Sequence, residues 1–237
     1  MAPGGFDGAG VLHYSNSPAP VNGPIPGGPD PSDLDSSVNQ ARSIRWNLTA
    51  GAARLNRQGA FNVTNITLSQ TFIIDRSMAE IEGSQRYAVN NVSYYTLNTP
   101  LKLADHVVNG SGVYQLDWFP VDSVNAEAAY GVSVVTGIHK AWIELVFVNS
   151  LNTIDAWQLD GFGFYVVGFG NGFWGPEARK DYNIFDPVVR STVHGYPNRW
   201  TAVYAFLDNP GMRNRRYFCS GPDSESPASE PVPVPSA

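Results

Sequence analysis

From Arg42 to about residue 208 the chain repeats one pattern: a short run rich in Val, Ile, Thr, Phe, Tyr and Trp, then a cluster of Gly, Pro, Asn or Asp. β-Branched and aromatic side chains suit a pleated, half-buried surface, and the punctuating residues supply turns. Strands are predicted near 43–49, 60–74, 85–90, 113–119, 141–149, 157–169, 189–195 and 200–208. In Trp142-Ile-Glu-Leu-Val-Phe-Val148, residues Ile143, Leu145 and Phe147 share one face and Glu144 takes the other, as a half-buried antiparallel strand requires. A helical period lasts nowhere for more than a turn or two. The expected fold class is therefore all-β, a two-sheet Greek-key sandwich.

Charge and cysteine content exclude several functions. A net charge of −6, with no Lys/Arg cluster, leaves no basic footprint for nucleic acid or for an anionic membrane. The single cysteine, Cys219, rules out an intrachain disulfide and any cysteine-rich zinc site. No run of eighteen apolar residues occurs, so no membrane span is expected. The first residues lack the basic start and apolar core of a secretory signal, and the final Val-Pro-Ser-Ala lacks the apolar stretch of a lipid-anchor signal. Five Asn-x-Ser/Thr sequons, at Asn47, Asn62, Asn65, Asn91 and Asn109, are candidate glycosylation sites.

Both ends depart from the strand pattern. Residues 15–41 are dense in Pro and Gly and read as an extended linker. Ahead of it, residues 1–14 hold only the apolar scrap Gly10-Val-Leu-His-Tyr14, which reads as the remnant of a preceding domain. The sandwich is assigned to 42–212. After Gly211 the chain runs into Met212-Arg-Asn-Arg-Arg-Tyr-Phe-Cys219 and then Pro, Ser, Glu and Ala, so 213–237 is expected to be a disordered tail and the sandwich to lack its last strand. A missing strand would leave an open sheet edge.

Several segments together carry a family resemblance. Gln40-Ala-Arg-Ser-Ile-Arg-Trp-Asn-Leu-Thr49, Arg86-Tyr-Ala-Val-Asn-Asn-Val-Ser-Tyr94, Thr99-Pro-Leu-Lys-Leu-Ala-Asp105 and Tyr196-Pro-Asn-Arg-Trp-Thr-Ala202 resemble the plant ascorbate-oxidase homologues among the multicopper oxidases. That resemblance implies cupredoxin (plastocyanin-like) domains, with 1–14 the end of a second and 42–212 the third. It also implies an extracellular, cell-wall protein of the pollen-specific and directional-growth kind.

In copper-loaded members of the family the strand resembling Asp155-Ala-Trp-Gln-Leu-Asp-Gly161 reads His-Pro-x-His-x-His-Gly. Its first histidine binds the blue copper and the other two bind the trinuclear cluster. The matching positions here are Asp155, Gln158 and Asp160, degenerate as copper ligands, since copper favours imidazole and thiolate. Family members also carry a His-Cys-His block six residues after the glycine of Asp208-Asn-Pro-Gly211; here that position is Tyr217, and Cys219 stands two later. His13, His106, His139 and His194 match no family ligand. The resemblance is thus to the copper-free branch, with no catalytic residue, no metal and no cofactor expected in this chain.

Competing readings are defined by their residues. A family-level reading is a copper-binding oxidoreductase; another is a truncated product without function of its own. Asp155 and Asp160 could form an acid–base pair, but an offset of five on a strand places them on opposite faces. Gly170-Asn-Gly-Phe-Trp-Gly175 has the spacing of a dinucleotide fingerprint, yet Pro176 follows and no βαβ unit surrounds it, so a loop is expected. Cys219 beside Arg215 and Arg216 has the surroundings of a reactive thiol but reads as incidental. Trp118, Trp142, Trp157, Trp174 and Trp200 could stack on sugars of a wall polysaccharide if exposed, although aromatics in a sandwich usually belong to its core.

Overall fold

The computed structural model describes residues 12–18, 20, 30, 32–45, 63–95, 97–118, 127–219 and 232–234. Of the strand expected at 43–49, Ser43 ends a helix and 46–49 lie outside these residues, as do the first residues of the strand expected at 60–74 and the sequons' Asn47 and Asn62. In chain order the elements are helix α1 (Leu34–Ser43), β1 (Leu68–Ile81), β2 (Ser84–Val89), β3 (Val92–Ser93), helix α2 (Leu101–Val108), β4 (Ala129–Tyr130), β5 (Trp142–Asn149), β6 (Asp155–Leu159) and β7 (Phe164–Asn171). A 3-10 helix (Pro176–Asp181) precedes β8 (Val189–Arg190), β9 (Thr192–Gly195), β10 (Arg199–Phe206), β11 (Arg213–Cys219) and β12 (Val232–Val234).

These strands form the two sheets of an all-β sandwich, an eight-stranded one ordered β4-β3-β2-β1-β5-β10-β7-β8 and a four-stranded one ordered β12-β11-β6-β9. Two tight turns set the register of the first hairpins. Glu82 and Gly83, then Asn90 and Asn91, all take positive φ, the conformation that a two-residue hairpin turn needs. The Asn90 side chain reinforces the second turn, accepting from the Asp75 amide at 2.6 Å and donating to the Ile73 carbonyl at 2.7 Å.

The main core lies between the sheets. Phe72 and Ile74 of β1, Ile143, Leu145 and Phe147 of β5, and Val203 and Ala205 of β10 meet Trp157 and Leu159 of β6. Trp157 is fully buried and stacks on Phe147 at 5.0 Å between centroids. Burying rings of this size contributes several kcal/mol to such a fold.

A second layer covers the outer face of the large sheet. Val146 and Val148 of β5 and Trp200, Ala202 and Tyr204 of β10 pack under Val63, Trp174, Ala178, Tyr182 and Ile184. β5 is therefore buried on both faces, not on one as its alternation implied, and Glu144 is fully buried. Close approach of Trp200 fixes the small residues of β7, since a Cβ on Gly170 would stand 2.2 Å from its indole. The Gly170–Gly175 run is thus a strand end and turn leading into the 3-10 helix.

Several expected elements are placed differently. The predicted strand 157–169 is two strands, because the chain turns at Asp160-Gly161, where Gly161 has φ +84°, and passes from the small sheet to the large one. The run at 189–195 divides in the same way into β8 and β9. Of the run expected as a strand at 113–119, the described residues 113–118 form a loop with one isolated bridge, Leu116 to Val134, and Asp117 ties it down by accepting from the Thr136 amide and hydroxyl at 2.6 and 2.8 Å.

The linker expected over 15–41 ends in helix. Asp33 caps α1 by accepting from the Ser36 amide at 2.9 Å, and Val38 is buried beneath it. The sandwich does not stop at Gly211. Met212 is buried with Leu101, Val132 and Val134, and β11 then pairs antiparallel with β6 from Arg215↔Leu159 to Cys219↔Asp155. This corrects the expectation of a missing last strand, because backbone pairing along the β6 edge satisfies main-chain donors and acceptors whatever side chains the strand carries.

Candidate functional site

The strand that resembles the ligand strand of copper-loaded relatives is β6, and Asp155 opens it. Asp155, Trp157 and Leu159 share the inward face of the small sheet, while Phe72, Ile74 and Arg76 share the inward face of β1 in the large one. At one end of the core these faces place Arg76 against Asp155, and the Arg76 guanidinium donates to Asp155 Oδ1 in a buried ion pair that bridges the two sheets. Tyr87 covers the guanidinium, with the ring centroid 4.9 Å from Arg76 Cζ. Asn149, the β5 partner of Arg76, closes this end by donating to the Thr153 and Gly195 carbonyls at 2.7 and 3.0 Å.

Burial pushes the Asp155 carboxyl up to about 6, with the hydrogen bond and charge of Arg76 pulling the other way. The desolvation of the carboxylate thus outweighs its partner. Arg76 carried a sequence signal in its parity, since it continues the inward alternation of Phe72 and Ile74 past the expected strand end at residue 74.

Gln158 and Asp160 are not gathered with Asp155. Gln158 is half-buried on the opposite face of β6, and Asp160 lies in the turn beyond it, with Gln158 Nε2 donating to Asp160 Oδ1 at 3.4 Å. Near this turn the Asp208-Asn-Pro-Gly211 segment is held by Arg213, whose Nη2 donates to Asn209 Oδ1 and to the Pro210 carbonyl. Asn209 in turn donates to the Gly161 carbonyl at 3.2 Å.

The histidines are dispersed. His13 precedes α1, His106 is exposed on α2, His139 stands in the turn before β5 and His194 is exposed on β9. Among the described residues no three His, Cys, Asp or Glu side chains cluster as a metal site would require. Of the tryptophans, Trp157 and Trp200 belong to the cores, Trp142 and Trp174 are half-buried and Trp118 is exposed, so the five make no common platform. Among the sequons, Asn65 is exposed in a turn, Asn109 is the exposed left-handed C-cap of α2, and Asn91 is half-buried in the β2–β3 turn.

A second buried charge lies on the outer face of the large sheet. Glu144 accepts from Arg179 Nε at 3.1 Å and Nη2 at 2.5 Å, and from Thr71 Oγ1 at 3.0 Å. Arg179 comes from the 3-10 helix and stacks on Trp174 at 4.9 Å. Burial raises the Tyr204 hydroxyl to about 12, with the negative charge of Glu144 adding to it, and the same causes raise Tyr182. The alternation of β5 had put Glu144 toward solvent, and only the covering segment around residues 174–184 makes it interior.

Comparison with known proteins agrees with this architecture. The family model described as multicopper oxidase matches residues 98–218, just over half of the chain. The monocopper oxidase-like protein SKU5 of Arabidopsis thaliana is 37% identical over 212 residues, 88% of this chain and 36% of that protein. An L-ascorbate oxidase homolog of Brassica napus is 36% identical over 211 residues, 87% of this chain and 38% of that protein. The chain thus spans little more than a third of the length of these relatives. Among solved structures, Fet3p, a multicopper oxidase that functions in iron import, superposes with a TM-score of 0.50 at 15% identity, over 66% of this chain and 29% of that one. Its fold is shared. With its cupredoxin-like sandwich, its ligand-strand counterpart in β6 and its matched motifs, the chain belongs to the multicopper oxidase family, on the side of the plant ascorbate-oxidase homologues.

Proposed function

We propose that this chain is a non-catalytic member of its family, acting through its surface in the plant cell wall during polarised growth such as that of the pollen tube. The observation that carries the proposal is the commitment of Asp155 to Arg76. Asp155 stands where the resemblance puts the first copper ligand, and a guanidinium that is charged at all accessible pH already holds its carboxylate. Gln158 and Asp160 add only oxygen or amide donors from another face, so these residues do not fit a redox copper. The extracellular setting is supported by the plant relatives, and no helix among the described residues is long and apolar enough to cross a membrane. Wall polysaccharide is the partner this role would have, and retention of the purified protein on pectin or cellulose is the measurement that checks it.

Copper loading followed by dialysis tests the chemistry. The expected result is metal well below one copper per chain by elemental analysis, with no blue absorption band and no oxidation of ascorbate. Stoichiometric copper with a blue band would overturn the reading.

A further inference from the structure

A cleft of about 270 Å³ lies between α1 and the β7, β8 and β9 strands, and no residue of β6 lines it, although β9 pairs with β6. Val166, Phe169 and Val193 give it an apolar floor, and Ala41 of α1 with Ile44, the residue that caps the helix, forms one wall. Arg190, His194 and Gln40 supply polar groups beside the hydroxyl-bearing Ser37, Thr192 and Tyr196, and neither Asp nor Glu lines it. Its size is just below the usual range of small-molecule sites, room for one or two fused rings.

The cleft is held open by contacts that pin the helix to the sandwich. Arg42 donates to the Phe169 carbonyl at 2.8 Å, Arg199 pairs with Asp35, and the Tyr196 hydroxyl meets Ser37 at 3.4 Å. The Phe169 and His194 rings both pack against Tyr196, at 6.2 and 5.9 Å. Thr201 Oγ1 donates to the His194 carbonyl at 2.6 Å, which fixes that part of β9. Such a site needs little reorganisation to accept a ligand.

Charge decides the ligand class. Arg190 is exposed on the short β8, with no ion-pair partner among the described residues, and Arg42 of α1 and Arg45 just beyond its end line the adjoining open surface. An apolar floor beside unopposed guanidinium groups matches a flat apolar body carrying one carboxylate. We propose that this cleft binds a small aromatic monocarboxylate, its ring on Phe169 and Val193 and its carboxylate on Arg190. The role is independent of copper and uses none of the residues at the ligand positions of β6.

Titration calorimetry and saturation-transfer NMR with 2-naphthoate test it on the whole chain. 2-Naphthamide serves as the uncharged isostere and galacturonate as a carboxylate without an apolar body. The expected result is saturable binding of naphthoate, with the amide and galacturonate each at least about tenfold weaker. Arg190→Gln, at an exposed strand position, is expected to weaken naphthoate about tenfold and leave the amide unchanged. Ala41→Phe, which fills the cleft, is expected to weaken both aromatic probes. Absence of saturable binding, equal binding of acid and amide, galacturonate as tight as naphthoate, or an Arg190→Gln variant that binds like the parent overturns the proposal.

Discussion

Replacing Asp155 with leucine is expected to destabilise the fold by about 5 kcal/mol in urea unfolding at pH 7, and replacing Arg76 with methionine by about 3 kcal/mol. The asymmetry follows from what each change strands in the core. Without Asp155 the Arg76 guanidinium stays charged between the sheets, because arginine does not lose its proton at any accessible pH. Without Arg76 the Asp155 carboxyl can take up a proton, which its burial already favours at about 6. The double variant Arg76→Met with Asp155→Leu leaves no charge and keeps most of the volume. It is expected to match the parent or exceed its stability by about 1–2 kcal/mol, as buried pairs replaced by apolar residues commonly do. A double variant as unstable as the sum of the two singles would show that the pair is not coupled, and would remove the account of this end of the core.

The sign of the pH dependence follows from the same residue. The folded Asp155 titrates near 6 and the unfolded one near 3.8, so between these values the folded state holds a proton that the unfolded state has released. Its contribution to stability is fully present below 3.8 and is lost as pH rises through 6. Relative to the double variant, the parent should therefore lose up to about 3 kcal/mol between pH 4 and pH 7. A difference that is flat with pH, or that grows in the opposite direction, would mean that Arg76 outweighs burial.

The legible parts of the fold were those decided by local alternation. β5 and β10 stand close to their expected bounds because each is an unbroken run rich in β-branched and aromatic residues, and β2 because the tight turns at Glu82-Gly83 and Asn90-Asn91 bound it. Where the deciding contact is distant, the sequence is silent. Nothing local to Asp160-Gly161 says that the strands on either side join different sheets, and nothing local to Glu144 says that Tyr182 and Trp174 will cover it. β11 was illegible for a different reason: its Arg-Asn-Arg-Arg opening has a poor strand composition, and its place is set by backbone pairing with β6. Asp155 was singled out from the sequence as a lost ligand. Its actual partner lies 79 positions away on the opposite sheet.

The outer-face pair Glu144 and Arg179 should respond in the reverse order to the inner one. Here the carboxylate is 0% exposed and the guanidinium side chain is 36% exposed, so the cation can turn to water and the anion cannot. Glu144→Gln keeps the shape and a hydrogen-bond acceptor for Thr71, and solvent takes up much of the Arg179 charge. A loss of about 1 kcal/mol is expected, near the scale of a part-exposed pair. Arg179→Met removes the donor that satisfies two oxygens of a fully buried carboxylate, and also the stacking on Trp174 that seats the 3-10 helix. Its cost is expected at about 3 kcal/mol, and Arg179→Lys should recover only part of it, because an ammonium offers no planar fork to both oxygens. Ultraviolet titration of tyrosine gives an independent readout. In Glu144→Gln the hydroxyl of Tyr204 should ionise below its parent value of about 12, since the negative charge beside it is gone while its burial remains. If Glu144→Gln cost more than Arg179→Met, or left the tyrosine titration unmoved, the account of this face as an ion pair whose carboxylate acts on Tyr204 would fall.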